Sequence, residues 1–379
     1  MMARLEEICA INMGQSPDSS TYNEDGNGLP FFQGNADFGE IYPAVRMWCS
    51  EPTKIAREKD ILISVRAPIG ALNIANCECC IGRGLAALTV NEDICAQEYL
   101  WHALSGKVDE LNSKGTGSTF KAINKKTLSE TEIPLPPIDE QHKIAAVLDK
   151  VSDLIAKRQQ QLDKLDEMIK ARFMEIFGDS ETNTKNWRVL PMSKICSVGS
   201  SKRIYQSEQS SSGVPFWRIS DLTSLITTGT VTPELYIPEE RYKELKTQGQ
   251  VPAPGDILIT SRGTLGQCYI VKVNDRFYFQ DGMISWLSGY MDGVTPRYIS
   301  YLFTMPGFRK QIDSMQAGST VAYLSITMIK KLKVMLPDIE SQQQFASFVS
   351  KTEKTKITIS RSLEKLETLK KALMQEYFG

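Results

Sequence analysis

The sequence predicts two tandem copies of an α/β (α+β) domain, separated by long helices that pair as an antiparallel coiled coil in a pseudo-two-fold symmetric chain. Three observations carry this expectation. Segments recur along the chain at a long separation, each half holds strand-like runs between turn clusters, and each half closes on an apolar pattern with steps of three and four. At 379 residues the chain exceeds one ordinary core and suits two. Its 41% hydrophobic and 23% charged residues are ordinary for a folded globular protein and argue against extensive disorder.

The duplication is read directly. Gly117-Ser118-Thr119 recurs as Gly318-Ser319-Thr320, Leu135-Pro136 as Leu336-Pro337, Gln141 as Gln342 and Phe177-Gly178 as Phe378-Gly379, all displaced by 201 (318 − 117 = 201). Nearer the start of each half the displacement shrinks. Asp60-Ile61-Leu62-Ile63 recurs as Asp256-Ile257-Leu258-Ile259 (256 − 60 = 196), and Ile8-Cys9 as Ile195-Cys196 (195 − 8 = 187). A back part of constant register behind a front part that tolerates length changes implies a fixed frame carrying a loop-bearing domain.

The front parts, 1–135 and 180–336, read as mixed structure. Asp60 to Val65, Leu85 to Val90, Asp256 to Ser261 and Cys268 to Val273 look like strands between Gly, Pro, Asn and Ser clusters, and helices fit Ala96 to Asn112 and Pro296 to Ser314. The back parts, 136–179 and 337–379, are different. From Glu140 to Phe177 apolar residues fall at Ile144, Leu148, Val151, Ile155, Leu162, Leu165 and Ile169, with Arg158 interrupting once. The second copy places Phe345, Val349, Ile359, Leu363, Leu366 and Leu373 on the seam, which Thr352, Lys356 and Lys370 disturb. Proline-bearing turns, Pro134 to Asp139 and Leu336 to Ile339, end the preceding strand and start each helix. A helix of about 38 residues spans roughly 57 Å, long enough to act as a spacer.

Composition narrows the function classes. A net charge of −1 and a pI of about 6.3 announce no overall basic field, so a nucleic-acid ligand would be met by local patches or with help from partner subunits. The chain shows no apolar stretch of membrane-spanning length and its start lacks signal-peptide features, from which a cytoplasmic location is expected. Eight scattered cysteines are expected to be reduced; Cys77, Cys79 and Cys80 are a candidate metal cluster, although no second Cys or His pair stands at finger-like spacing. Ile8-Cys9 and Ile195-Cys196 read as core positions. Neither a nucleotide-binding glycine loop nor an Asp/Asn-Pro-Pro-aromatic segment is present, and His102 and His142 are the only histidines, so a binding protein without catalysis of its own is expected.

In this order of segments the chain resembles the DNA specificity subunits of type I restriction-modification systems. The resemblance rests on domain, helix, domain, helix and on paired segments. These are Gly28-Leu29-Pro30-Phe31-Phe32 with Gly213-Val214-Pro215-Phe216-Trp217, Asp60 to Arg66 with Asp256 to Arg262, the Gly-Ser-Thr loops, and Leu135-Pro136-Pro137-Ile138-Asp139-Glu140-Gln141. It implies that the front parts are target recognition domains for double-stranded DNA, each reading one half of a bipartite asymmetric target. It implies helices that dock two methyltransferase subunits, with motor-nuclease subunits as further partners. S-adenosylmethionine and ATP would then sit on the partners, with no cofactor on this chain. A non-catalytic coiled-coil scaffold whose duplicated domains bind another ligand is the alternative.

Candidate DNA contacts are basic, amide and aromatic residues beside Gly-rich turns. Arg66 and Arg262 occupy matched positions after a strand; an intradomain salt bridge is the competing reading for both. Lys114, Ser118 and Lys121 flank or belong to the first Gly-Ser-Thr loop, suited to phosphate, and Tyr323 follows the second. Gln33, Arg83, Arg203, Tyr205, Trp217 and Arg218 lie where the halves differ. No catalytic or metal-ligating residue is assigned.

Overall fold

The computed structural model describes residues 1–117, 121–316 and 322–379. The chain divides into two compact units, Met1–Gln160 with Ile359–Gly379, and Gln161–Thr358.

In the first unit a four-stranded antiparallel sheet runs in the order Cys9–Met13, Leu85–Val90, Ile61–Ser64, Leu72–Ile74. Ile61–Ser64 is buried throughout, because both faces of this sheet are covered. Ile61 and Ile63 join the core that contains Tyr99 and Leu100, whereas Leu62 faces a separate cluster with Phe32 and Ile81, as the two-residue alternation of a strand requires. A second sheet carries Leu29–Phe32, antiparallel to Trp48–Cys49 and parallel to Cys79–Ile81. A short ladder joins Met2–Arg4 to Glu132–Pro134.

The second unit repeats this plan with different loops. Its sheet runs Ser197–Gly199, Ile284–Ser288, Ile257–Thr260, Cys268–Ile270, and Val214–Trp217 again lies antiparallel to one strand, Tyr236–Ile237, and parallel to another, Tyr278–Phe279. Arg188–Pro191 pairs with Lys333–Leu336. The strand runs seen in the sequence are therefore strands, Leu85–Val90 with the expected bounds and the other three shorter than expected. The two expected helices are each broken in two, Gln97–Gly106 with Val108–Ser113 and Pro296–Leu302 with Pro306–Ser314. Gly106 weakens the first at the break, and Pro306, which cannot extend a helix from its N-terminal side, begins a new one.

Each long helix has 40 residues, Ile138–Phe177 and Ile339–Phe378. Each unit's core holds the start of one helix and the end of the other, so within a unit the two run antiparallel. In the first unit Ile144, Ala145 and Leu148 share a core with Phe378, whose ring lies 5.2 Å from that of Tyr99. In the second unit Ile169, Phe173 and Phe177 meet Phe345 and Tyr298. The seam is therefore buried mainly where a globular domain covers it, and Ile155, Leu162 and Leu165 are only half-buried. Two of the residues that disturb the pattern have local partners. Thr352 donates its hydroxyl to the Phe348 carbonyl at 3.0 Å, and Lys356 reaches Asp166 of the first helix at 2.6 Å.

Two buried glutamines, matched at the 201 displacement, tie each helix start to its domain. Gln141 Oε1 accepts the Ala96 N–H at 2.9 Å while Nε2 donates to the Ile94 and Pro136 carbonyls at 3.1 and 2.8 Å. Gln342 Oε1 accepts the Thr295 N–H at 2.9 Å while Nε2 donates to Gly293 and Pro337 at 2.8 and 2.9 Å. Gln342→Leu strands three backbone groups, one of them the carbonyl of buried Pro337, and we expect a loss of about 1–3 kcal/mol in the urea stability of the second unit. An unchanged midpoint would remove the clamp's energetic role.

The polar link differs between copies. Buried His102 bonds the Asp149 carboxylate through Nε2 at 2.7 Å, and the residue displaced from it by 201 is Phe303. Burial holds the imidazole below its ordinary value near 6.5 despite the carboxylate. The unfolded chain thus binds a proton more readily than the folded one. The stability that neutral His102 contributes is fully present above about pH 6.5 and is lost as pH falls through the lower, folded-state value. Urea midpoints at pH 7.5 and 5.5 should differ more for the wild-type chain than for His102→Phe; equal differences would exclude His102 as the source.

Candidate nucleic-acid interface

In each unit the parallel strand pair ends beside the turn that follows the central strand. Phe32 pairs with Ile81 in the first unit and Trp217 with Phe279 in the second, so Gln33 and Arg218 are the first residues beyond equivalent strands. Each has its backbone N–H fixed at 2.8 Å by a carboxylate, Asp37 for Gln33 and Asp221 for Arg218.

The turn after the central strand is built identically twice. Ser64 Oγ donates to the Pro68 carbonyl at 2.6 Å and accepts the Ala71 N–H at 2.9 Å; Thr260 Oγ1 does the same with Thr264 and Gln267. Gly70 and Gly266 close these turns at φ of +89° and +73°, a region that favours glycine. The buried flanks, Val65 and Ile69 or Ser261 and Leu265, leave Arg66 and Arg262 exposed at the tip.

Backbone hydrogen bonds join the separate segments of the first unit into one surface. The Gly84 N–H donates to Gln33, the Val65 N–H to Gly84, and the Ala67 N–H to Lys121, at 3.2, 2.9 and 3.1 Å. The Gly82 to Gly84 strip must lie close to the backbone of Gln33, since a Cβ on Gly84 would stand 2.5 Å from the Gln33 oxygen. Thr116 and Ala122 exchange backbone hydrogen bonds at the base of the Gly-Ser-Thr loop. Gln33, Arg66, Arg83 and Lys121 are thereby gathered from four segments. All four are exposed, and Arg66, Arg83 and Lys121 have no ion-pair partner among the described residues. The competing salt-bridge reading of Arg66 and Arg262 finds no ion-pair partner for either among the described residues.

Two sequence expectations are corrected. Lys114 is held by Glu110 at 2.6 Å on its own helix, and this ammonium draws the Glu110 carboxyl below its usual range, so it is not a free cation of the site. Trp217 is buried and stacked on Phe277 with ring centres 3.7 Å apart, because the alternation that exposes its neighbour turns it into the core. Arg203 is exposed and Arg218 half-buried, and each is ion-paired, with Asp281 at 2.9 Å and with Glu234 at 2.7 Å. Tyr205 is exposed, and Arg262 lies over the Tyr323 ring with 5.3 Å to its centre. Ser118 lies outside the described residues.

Sequence reading missed Asp281 and Glu234. The signal was present but shifted: Gly82-Arg83-Gly84 of the first copy corresponds to Gln280-Asp281-Gly282-Met283 of the second, one residue longer, so a cation in one copy stands where the other has an anion. The cysteines take no part. All eight are free, burial pushes Cys9, Cys79, Cys95 and Cys196 up to about 12, and no metal-holding group of three or more side chains occurs among the described residues. No helix among the described residues is long and apolar enough to cross a membrane.

Two copies of the family described as type I restriction modification DNA specificity domain match residues 1–167 and 184–370. The chain belongs to this family. It is 43% identical over 180 residues, 48% of its length, to the putative type I restriction enzyme MjaX specificity subunit of Methanocaldococcus jannaschii. It is 26% identical over 252 residues, 65% of its length, to the putative type I restriction enzyme specificity subunit S.HindORF215P of Haemophilus influenzae. The matches span 42% and 62% of those relatives. In fold it is similar to the S subunit of a type I restriction-modification system from M. genitalium, with a TM-score of 0.62 at 14% identity over 100% of this chain and 96% of that one.

Proposed function

We propose that the chain is the sequence-specific DNA-binding subunit of a type I restriction-modification complex, each unit reading one half of a bipartite, asymmetric target. The helices dock two methyltransferase subunits, and motor-nuclease subunits join the same assembly in the cytoplasm. Chemistry belongs to those partners, which carry S-adenosylmethionine and ATP.

The observation that carries this reading is the surface that gathers Gln33, Arg66, Arg83 and Lys121. Three cations without carboxylates supply phosphate attraction despite a net charge of −1, and an exposed amide lies beside them with donor and acceptor for a base edge. The second unit repeats the frame with a different charge pattern, as a reader of a different half-site needs.

The test is enrichment from a randomised duplex DNA library by the full chain assembled with a methyltransferase subunit. The expected product is one sequence with two unlike blocks separated by a fixed unread spacer. Enrichment of no sequence would reject DNA reading in favour of a scaffold role.

A further inference from the structure

Positions 33 and 218 are equivalent in the fold, and their displacement, 185 (218 − 33 = 185), is that of the paired segments Gly28 to Phe32 and Gly213 to Trp217, which they directly follow (213 − 28 = 185). Both follow the last residue of a parallel-paired strand and both have the backbone N–H clamped by a carboxylate at 2.8 Å; Gln33 is exposed and Arg218 half-buried, its side chain 37% accessible. Only the side-chain chemistry differs. A carboxamide offers one donor and one acceptor, the pattern complementary to the N7 and N6 edge of adenine; a guanidinium offers paired donors, complementary to the O6 and N7 edge of guanine.

The surroundings of Arg218 are built for orientation. Glu234 accepts from Nη2 at 2.7 Å and Asp221 lies 3.6 Å from Nε, while Nη1 makes no hydrogen bond to the described residues. A guanidinium gripped along one side presents its remaining donors in a fixed direction, which lowers the entropy lost when two of them meet a base. The first unit has no such grip because a short amide with fewer rotatable bonds needs less restraint.

We propose that Gln33 and Arg218 are the matched base-reading positions of the two units, Gln33 selecting an A·T pair in one half-site and Arg218 a G·C pair in the other, with Glu234 as the positioning residue for Arg218. This rests on the DNA-reading function above and adds to it which residue reads which class of base pair.

The experiment is the same duplex enrichment, performed with the full chain and a methyltransferase subunit and scored one base pair at a time. Gln33→Arg should convert one A·T pair of one block to G·C, and Arg218→Gln should make the reverse change in the other block, all remaining positions being kept. Gln33→Ala and Arg218→Ala should leave those same single positions unselected, a loss of roughly tenfold to hundredfold in discrimination. Glu234→Gln should keep the G·C preference at the Arg218 position but weaken it, without altering the other block; a merely structural salt bridge would leave that position untouched. Selection of the wild-type sequence by the substituted chains, or change spread over both blocks, would overturn the proposal while leaving DNA reading intact. A wild-type chain that enriches nothing would overturn both.

Discussion

Phe173→Ala is expected to destabilise the second unit by about 3–5 kcal/mol, the usual cost of removing a large aromatic ring from a packed core. Phe173 is fully buried, with its ring centre 4.7 Å from Phe177, 5.3 Å from Phe345 and 5.8 Å from Tyr298. These residues come from the end of one long helix, the start of the other and a domain helix, so the vacated space cannot be filled by a shift of one element alone. Urea unfolding followed by hydrogen exchange resolved to each unit measures the loss. Met168→Ala, at a half-exposed position of the same helix, serves as the control and should stay within about 0.5 kcal/mol. A loss below 1 kcal/mol for Phe173→Ala would mean that the helix end is not part of this core.

The second large effect concerns binding. Replacing Arg66, Arg83 and Lys121 together by alanine removes the three cations of the gathered surface, and DNA affinity should fall across all sequences rather than at one base pair. The diagnostic is the salt dependence. If each side chain neutralises one phosphate, the slope of log K against log salt should become shallower by about three. Titrations of labelled duplex at several salt concentrations give that slope directly, and an unaltered slope would place the phosphate contacts elsewhere. Lys114→Ala should change it little, since Glu110 already compensates that charge.

The central strands were legible because four consecutive apolar or small residues after an aspartate mark a strand buried on both faces, and Asp60 and Asp256 do accept the N–H that closes the preceding turn at 2.8 Å. The exposed turn positions of Arg66 and Arg262 were legible because the same turn occurs twice. Trp217 was misread: composition alone makes a tryptophan beside an arginine resemble a base-stacking residue, whereas strand alternation sends it inward. Lys114 was misread because its partner stands one helical turn away at Glu110, visible only once the helix boundary is known.

The duplication, the four-part order, the class of each part and the two 40-residue helices follow from local patterns, because periodicity, proline turns and repeated motifs are encoded in near neighbours along the chain. The division into units does not. Phe173, Phe177 and Phe378 are each placed in the core of the other copy's domain through contacts between residues far apart in sequence. Such pairings depend on which surfaces exclude water together, a property of the folded chain that no local pattern carries.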